Sequence, residues 1–370
     1  HGGDPSPSAG LFSVGGDGSQ PVRVELGGME APYLYIVGWS ASSDSVFFLR
    51  SSRFTDRVEF RVADATTGAS RLILAEESDT YIVGLPLLHG NDTQLDDGAS
   101  PVRLLPDGRF VWTSERDGWT RVHLYGANGE MLRALSPEGT EVGLVAGIDT
   151  ERGWLYFTAR IHPERPYDET LLRVAISGGE PQIIVAGPFF DTIEFDPDFV
   201  HFWTMRMGAD MPPVLELFRS DGTRVRELRS SAEVAREAGW RPPETFTAKA
   251  ADGVTDLYGA LFTPAGFDPS RRYPVIEDIY LGPFTSSVSR WPDPNLQALA
   301  DVGFVVVTVD ARNTTGRGRE FGDAFYGEYG QHEIADHAAV LRQLGQERPY
   351  MDLGRVGVNG FSWGGYGVLR

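Results

Sequence analysis

Apolar and aromatic residues come in short runs through the first two-thirds of the chain, each run followed by a turn signal. Val46-Phe47-Phe48-Leu49, Phe110-Val111-Trp112-Thr113, Leu155-Tyr156-Phe157-Thr158 and Phe202-Trp203-Thr204 read as strands. Thr113, Thr158 and Thr204 recur at spacings of 45 and 46 residues, and Arg50 stands 63 before Thr113. Each unit runs on into a second strand, such as Val122 to Tyr125 or Val214 to Phe218. A tight turn follows at Thr67-Gly68, Asn128-Gly129, Gly178-Gly179 or Asp221-Gly222, and then a short closing strand such as Arg71 to Leu74. A repeat of roughly 40–50 residues holding several antiparallel strands predicts a β-propeller blade. About four blades fit residues 31–228, a partial propeller by count. A β-sandwich is the competing arrangement.

Residues 229–243 change character. Ser231 to Glu237 has a polar, helix-like composition, and Trp240-Arg241-Pro242-Pro243 stops it, so this stretch reads as a linker. Beyond it, strands and helices alternate over residues 244–370. Strands are expected at 245–250 and 257–263 around Asp252-Gly253, at Pro274 to Tyr280, at Phe304 to Val309 and at Arg355 to Val358. Helical spacing runs from Pro294 to Val302 and from Glu333 to Leu344, where Ile334, Ala338, Leu341 and Leu344 share a face. Continuous apolar strands separated by helices predict an α/β domain whose mostly parallel sheet is covered on both faces. Residues 1–30, rich in Gly, Ser, Asp and Pro at their start, read as a flexible lead-in.

Composition narrows the function classes. The net charge of −19 argues against nucleic acid and anionic membranes as partners. The absence of cysteine excludes disulfides, thiolate metal sites and a cysteine nucleophile. No run of eighteen apolar residues suggests a membrane segment. The compartment stays open between cytoplasm and periplasm or secretion. No cofactor and no metal are expected.

The chemistry concentrates near the end. Val356 and Val358 lead into Gly360-Phe361-Ser362-Trp363-Gly364, a G-x-S-x-G pattern. A serine on a sharp strand-to-helix turn needs small neighbours two residues to either side, and the next backbone N–H faces a developing oxyanion. With 44 glycines in the chain, a glycine-rich turn is the competing reading of the pentapeptide alone. The α/β context supplies the setting that the motif requires.

Further stretches extend the pattern: Gly365-Tyr366 after the pentapeptide, Tyr280-Leu281-Gly282-Pro283, Asp310-Ala311-Arg312, and Trp112 to Trp119 in a predicted blade. Together these resemble the prolyl oligopeptidase family of serine peptidases, in its dipeptidyl peptidase IV branch. The resemblance covers the chain from about residue 34. It implies a β-propeller followed by an α/β-hydrolase domain, and a peptide substrate cleaved through an acyl-enzyme. By that resemblance Ser362 is the nucleophile, the Tyr280 hydroxyl one oxyanion donor and the Trp363 N–H the other. Trp363 and Tyr366 border the substrate, Gly360 and Gly364 form the elbow, and a homodimer is allowed. Release of dipeptides after Pro or Ala is the expected activity. An acyl-peptide hydrolase or esterase using the same serine, and a non-catalytic binding scaffold, are the alternatives.

Hydrolases of this kind place their acid and histidine after the serine. Only eight residues follow Ser362, with neither Asp nor His, so the triad partners are not expected in this chain. With the propeller starting part-way, the expectation is an internal piece of a longer enzyme, inactive alone. His332 and His337 mimic a zinc-binding H-E-x-x-H motif but stand five apart, about 140° around a helix; they read as a solvated helix face. Glu76-Glu77 resembles the family's amino-end-anchoring acidic pair but lacks its aromatic context, and reads as surface. Asn313 departs from the family, which usually has glycine after Asp-x-Arg. Arg312 reads as an ion pair bracing the sheet end.

Overall fold

The computed structural model describes residues 8–30, 32–82, 101–162, 165–283, 285–286, 288 and 294–370. Within the lead-in, β1 (Phe12–Ser13) and β2 (Val22–Arg23) pair antiparallel. Val24 is buried there, and Leu11 and Leu26 pack with it against Val46 and Phe48. Apolar residues scattered among the Gly and Ser of this stretch thus find a core.

Among the described residues four four-stranded sheets follow, each with its strands side by side in chain order. The first holds β3 (Tyr33–Trp39), β4 (Ser45–Ser51), β5 (Arg57–Asp64) and β6 (Ser70–Glu77). The second holds β7 (Val102–Leu104), β8 (Phe110–Ser114), β9 (Arg121–Tyr125) and β10 (Met131–Ala134). The third holds β11 (Glu141–Asp149), β12 (Trp154–Arg160), β13 (Thr170–Ala175) and β14 (Gln182–Ala186). The fourth holds β15 (Phe189–Phe195), β16 (His201–Gly208), β17 (Met211–Arg219) and β18 (Arg224–Ser230). This is the strand pattern of propeller blades.

Between the first two sheets the core is aromatic. Phe110 packs edge-on to Phe60 at 5.0 Å and stacks on Tyr125 at 5.2 Å, with Trp112 fully buried beside them. In the last hairpins of the second and fourth sheets a glycine is fixed by a close approach. A Cβ at Gly129 (φ 85°) would lie 2.0 Å from the Ile73 carbonyl oxygen of the preceding sheet's outer strand. At Gly222 (φ 90°) the equivalent clash, with the Ile184 carbonyl, is at 2.2 Å. Gly129 and Gly222 therefore serve both the left-handed turn and the packing of one sheet on the next.

The chain divides into two compact units, His1–Tyr156 with Val174–Pro181, and Phe157–Arg173 with Gln182–Arg370. In the second, α1 (Ala232–Glu237) precedes β19 (Glu244–Lys249), β20 (Asp256–Phe262) and β21 (Tyr273–Asp278). Then come α2 (Pro294–Asp301), β22 (Val305–Asp310), α3 (Arg319–Gly322), α4 (Glu333–Glu347), β23 (Met351–Asn359) and α5 (Trp363–Leu369). Their five strands form one mixed sheet in the order β19-β20-β22-β21-β23. The first two pairings are antiparallel; β22 with β21 and β21 with β23 are parallel. Strand β22 is buried throughout. Val305, Val307 and Val309 face a core shared with Val340 and Leu344 of α4, while Val306 faces Leu296 and Ala300 of α2. Two covered faces explain its unbroken apolar run.

Helix α4 corrects the expected apolar face. Ile334, Ala338 and Leu341 are only partly buried, whereas Glu333, Asp336, His337, Val340 and Leu344 point inward. The first half of the helix covers polar strand ends, not apolar strand middles. Asp336 takes a bidentate pair of bonds from Arg312 (2.8 Å each) and one from the Ala251 N–H (2.9 Å). Arg312 also reaches Asp252 at 2.9 Å. The Val254 and Thr255 N–H groups donate to Asp252, and with Arg312 nearby they hold its carboxyl at about 2. A depressed folded-state pKa means stabilisation that is present above the ordinary value of 3.8 and is lost as pH falls through about 2. Asp252→Asn should therefore lower the denaturation midpoint at pH 7, and the difference from wild type should shrink progressively below pH 4 in a pH series of urea melts.

Candidate active site

The end of β23 and the start of α5 set the geometry. Ser362 sits between them at φ 85°, ψ −106°, a conformation that costs a non-glycine residue about 1–3 kcal/mol. Backbone bonds close the turn and the start of α5: Gly364 N–H donates to the Phe361 carbonyl and Tyr366 N–H to the Ser362 carbonyl, both at 2.9 Å. Ser362 is exposed. The flanking glycines are required by space. A Cβ at Gly360 would lie 2.5 Å from the Gly364 carbonyl carbon, and one at Gly364 would lie 2.2 Å from the Ile279 carbonyl oxygen. Gly364→Ala should therefore destabilise the fold by about 1–3 kcal/mol, as overpacking against backbone does, and should also displace α5; thermal melts and serine-reagent labelling rates check both effects.

Ile279 belongs to the neighbouring strand end, which carries Tyr280. Its N–H donates to the Asn359 carbonyl at 2.8 Å, continuing the parallel ladder one step beyond β21. Tyr280 is half-buried, and Gly282 explains why. A Cβ there would lie 2.6 Å from Tyr280 Cε1 and 3.0 Å from Trp363 Cδ1. The bare glycine backbone thus lets the phenol ring and the indole converge beside the serine. Further along, Asp310 at the end of β22 accepts from Ser286 Oγ at 2.5 Å and from the Val288 N–H at 3.2 Å, tying down the segment after Tyr280.

Trp363 also has a second aromatic flank. Tyr329 lies 5.5 Å from it and Tyr366 5.8 Å, the latter edge-on. Tyr366 donates its hydroxyl hydrogen bond to the Tyr329 carbonyl at 3.2 Å, and Gly330 at φ 78° clears room for the Tyr366 ring. Burial, with acidic and phenolic neighbours, pushes the Tyr329 hydroxyl up to about 12, so it is a neutral donor. Sequence reasoning missed Tyr329; the readable signal was the aromatic density of Phe325, Tyr326 and Tyr329 just before α4.

A serine at a strained strand-to-helix turn, with a tyrosine and a tryptophan converging over a glycine, can present a hydroxyl to a carbonyl carbon. Comparison with known proteins gives the family. The model of the dipeptidyl peptidase IV (DPP IV) N-terminal region matches residues 1–213, more than half of the chain, and that of the prolyl oligopeptidase family matches residues 290–370. The chain belongs to the prolyl oligopeptidase family, in its dipeptidyl peptidase IV branch. Dipeptidyl peptidase 8 of Mus musculus is 39% identical over 131 residues, covering 34% of this chain and 15% of that protein. Probable dipeptidyl-aminopeptidase B of Aspergillus oryzae is 24% identical over 391 aligned residues, covering 100% of this chain and 42% of that one. The crystal structure of Porphyromonas gingivalis dipeptidyl peptidase 4 superposes with a TM-score of 0.84 at 25% identity, covering 97% of this chain and 49% of that chain. The chain thus spans less than half the length of these relatives.

Against the prolyl oligopeptidase pattern, several residues lie where the sequence did not place them. His337 is not on a solvated face: its Nδ1 and Glu277 Oε1 are 2.7 Å apart, both side chains deeply buried. His332 is exposed and pairs with Glu328 at 2.8 Å. The two histidines thus have different partners and different surroundings. Glu76 is likewise not a surface residue. It accepts from Trp112 Nε1 and Ser114 Oγ, both at 2.7 Å, and from Arg116 at 2.8 Å, with a side chain only 9% exposed. The aromatic context that its own strand lacks comes from the next sheet, which no local window contains. Glu77, 65% exposed, pairs with Arg57. Asn313 stands at φ 83°, buried, where the family's glycine would sit; asparagine is among the few residues that tolerate this region.

Proposed function

We propose that this chain carries the nucleophile and oxyanion side of a serine peptidase that releases dipeptides after Pro or Ala. Residues 31–228 would be propeller blades, 229–243 a linker and 244–370 the first part of an α/β-hydrolase catalytic domain. The observation that carries the reading is the backbone of Ser362: φ 85° between a parallel strand and a helix, with Tyr280 and Trp363 meeting over Gly282. In the reaction, Ser362 Oγ attacks the peptide carbonyl carbon while a histidine base takes its proton. The carbonyl oxygen gains negative charge, which the Tyr280 hydroxyl and the Trp363 N–H stabilise. Collapse expels the amine, which receives the proton, and leaves an acyl ester on Ser362. Water then attacks the ester and restores the serine. Trp363 and Tyr366 flank the substrate side chain.

Triad partners follow the serine in this hydrolase order, so the test compares the 370-residue chain with one extended beyond Arg370. Gly-Pro-arylamide, Ala-Ala-arylamide, an acyl-amino-acyl-arylamide and a simple aryl ester are offered to both. Turnover of the free-amino dipeptidyl substrates by the extended chain, with at least tenfold less by the 370-residue chain, is the expected result. Preference for the acyl-amino-acyl or ester substrate would replace the dipeptidyl peptidase reading with an acyl-peptide hydrolase or esterase. No turnover and no labelling by a fluorophosphonate in either chain would favour a binding scaffold.

A further inference from the structure

We propose that Asn359 is a positioning residue of this site, acting with Asp278 as a clamp that fixes the distance between the oxyanion tyrosine and the nucleophile. The proposal rests on the peptidase reading above. Asp278 and Asn359 are the last residues of β21 and β23 and stand opposite each other in the parallel register. Beyond them β21 leads to Tyr280 two residues on, and β23 leads to Ser362 three residues on. Across this final pair Asn359 Nδ2 donates to Asp278 Oδ1 at 2.5 Å. It is a charge-assisted bond, about twice the strength of a neutral one. Paired residues of a parallel ladder project to the same face, so the bond runs directly across the gap between strands. Just past it the backbone ladder continues for one bond, from the Ile279 N–H to the Asn359 carbonyl. Gly364 then rests on the Ile279 carbonyl. Side chain, ladder and helix contact form three successive ties between the two strand ends.

The chemistry needs such a tie. Two oxyanion donors that follow the ends of different strands must reach one oxygen at 2.7–3.1 Å, and a misplacement of about 1 Å can cost about a hundredfold in rate. Asn359 suits the task because an amide both donates to the carboxylate and carries no charge of its own. An aspartate there would set two carboxylates face to face and push the strands apart. The same geometry with its polarity reversed, a carboxylate at the end of β23 accepting from an amide at the end of β21, would restore the bond.

The test uses that reversal in the full-length protein, on its best dipeptidyl substrate, with thermal melts of every variant. Asn359→Asp should lower kcat by about 10–100-fold with KM changed less than about threefold. Adding Asp278→Asn to it should bring kcat back to within about fivefold of wild type, a rescue that generic destabilisation would not produce. Asn359→Ala, which removes the donor without adding charge, should fall between and decides the matter if Asn359→Asp does not fold: a kcat loss of at least fivefold at unchanged KM upholds the clamp. Unchanged kcat in Asn359→Ala, or a folded reversed pair no faster than folded Asn359→Asp, would overturn it. Wild-type protein that neither turns over nor labels at Ser362 would instead reject the peptidase reading itself.

Discussion

Replacing Ser362 by alanine should abolish peptidase turnover in the full-length protein while leaving its melting temperature within a few degrees of wild type. In serine hydrolases whose nucleophile and base act as a unit, loss of the nucleophile lowers kcat by about 10⁶-fold, and what remains derives from the oxyanion donors and binding. The structure favours a clean outcome. Ser362 is exposed and its side chain makes no cap bond to α5, so removing the hydroxyl opens no cavity. Its backbone conformation is held by Gly360, Gly364 and the bonds of the first helical turn. Alanine at φ 85° is as strained as serine, and the elbow should persist. Progress curves with a dipeptidyl arylamide, read beside melts, check both halves of this expectation.

Tyr280→Phe should lower kcat by about 10²–10³-fold with little change in KM, as expected for a donor that bonds the oxygen only once charge develops. The ring itself is held independently of its hydroxyl. It lies against Gly282, beside the Trp363 indole, and the Ile279 N–H and Asp310 fix the chain on either side. Phenylalanine should therefore keep the packing and lose only the donor. A loss in KM with kcat preserved would move Tyr280 from the oxyanion site to ground-state substrate binding.

What could be read from the sequence was whatever lies in a short window. The run Val305 to Val309 announced a doubly covered strand because every residue of it is buried. The glycines at 360 and 364 announced the elbow because no side chain fits there. The turn glycines 68, 129 and 222 marked hairpins that the backbone takes up in the left-handed region. Illegible were the partners supplied from elsewhere. Glu76 is buried by a tryptophan 36 residues on, and His337 by a glutamate 60 residues back. Asn359 ends β23 directly after Val358, and its meaning depends on Asp278, 81 residues earlier. Helix α4 misled for a related reason: apolar periodicity locates a core face only where the facing strand is apolar, and Glu333, Asp336 and His337 face polar strand ends instead. Glu277 inside the apolar run of β21 was the available warning, since an unpaired acid is rarely buried there.

The central claim is that the hydroxyl at position 362 is the group that becomes acylated. The most direct measurement is reaction of the extended protein with a fluorophosphonate, followed by intact mass and peptide mapping. The account predicts one adduct per chain, on the peptide holding Ser362, appearing in step with the loss of dipeptidyl turnover. An inhibited protein whose adduct maps elsewhere, or full turnover with Ser362 phosphonylated, would contradict it.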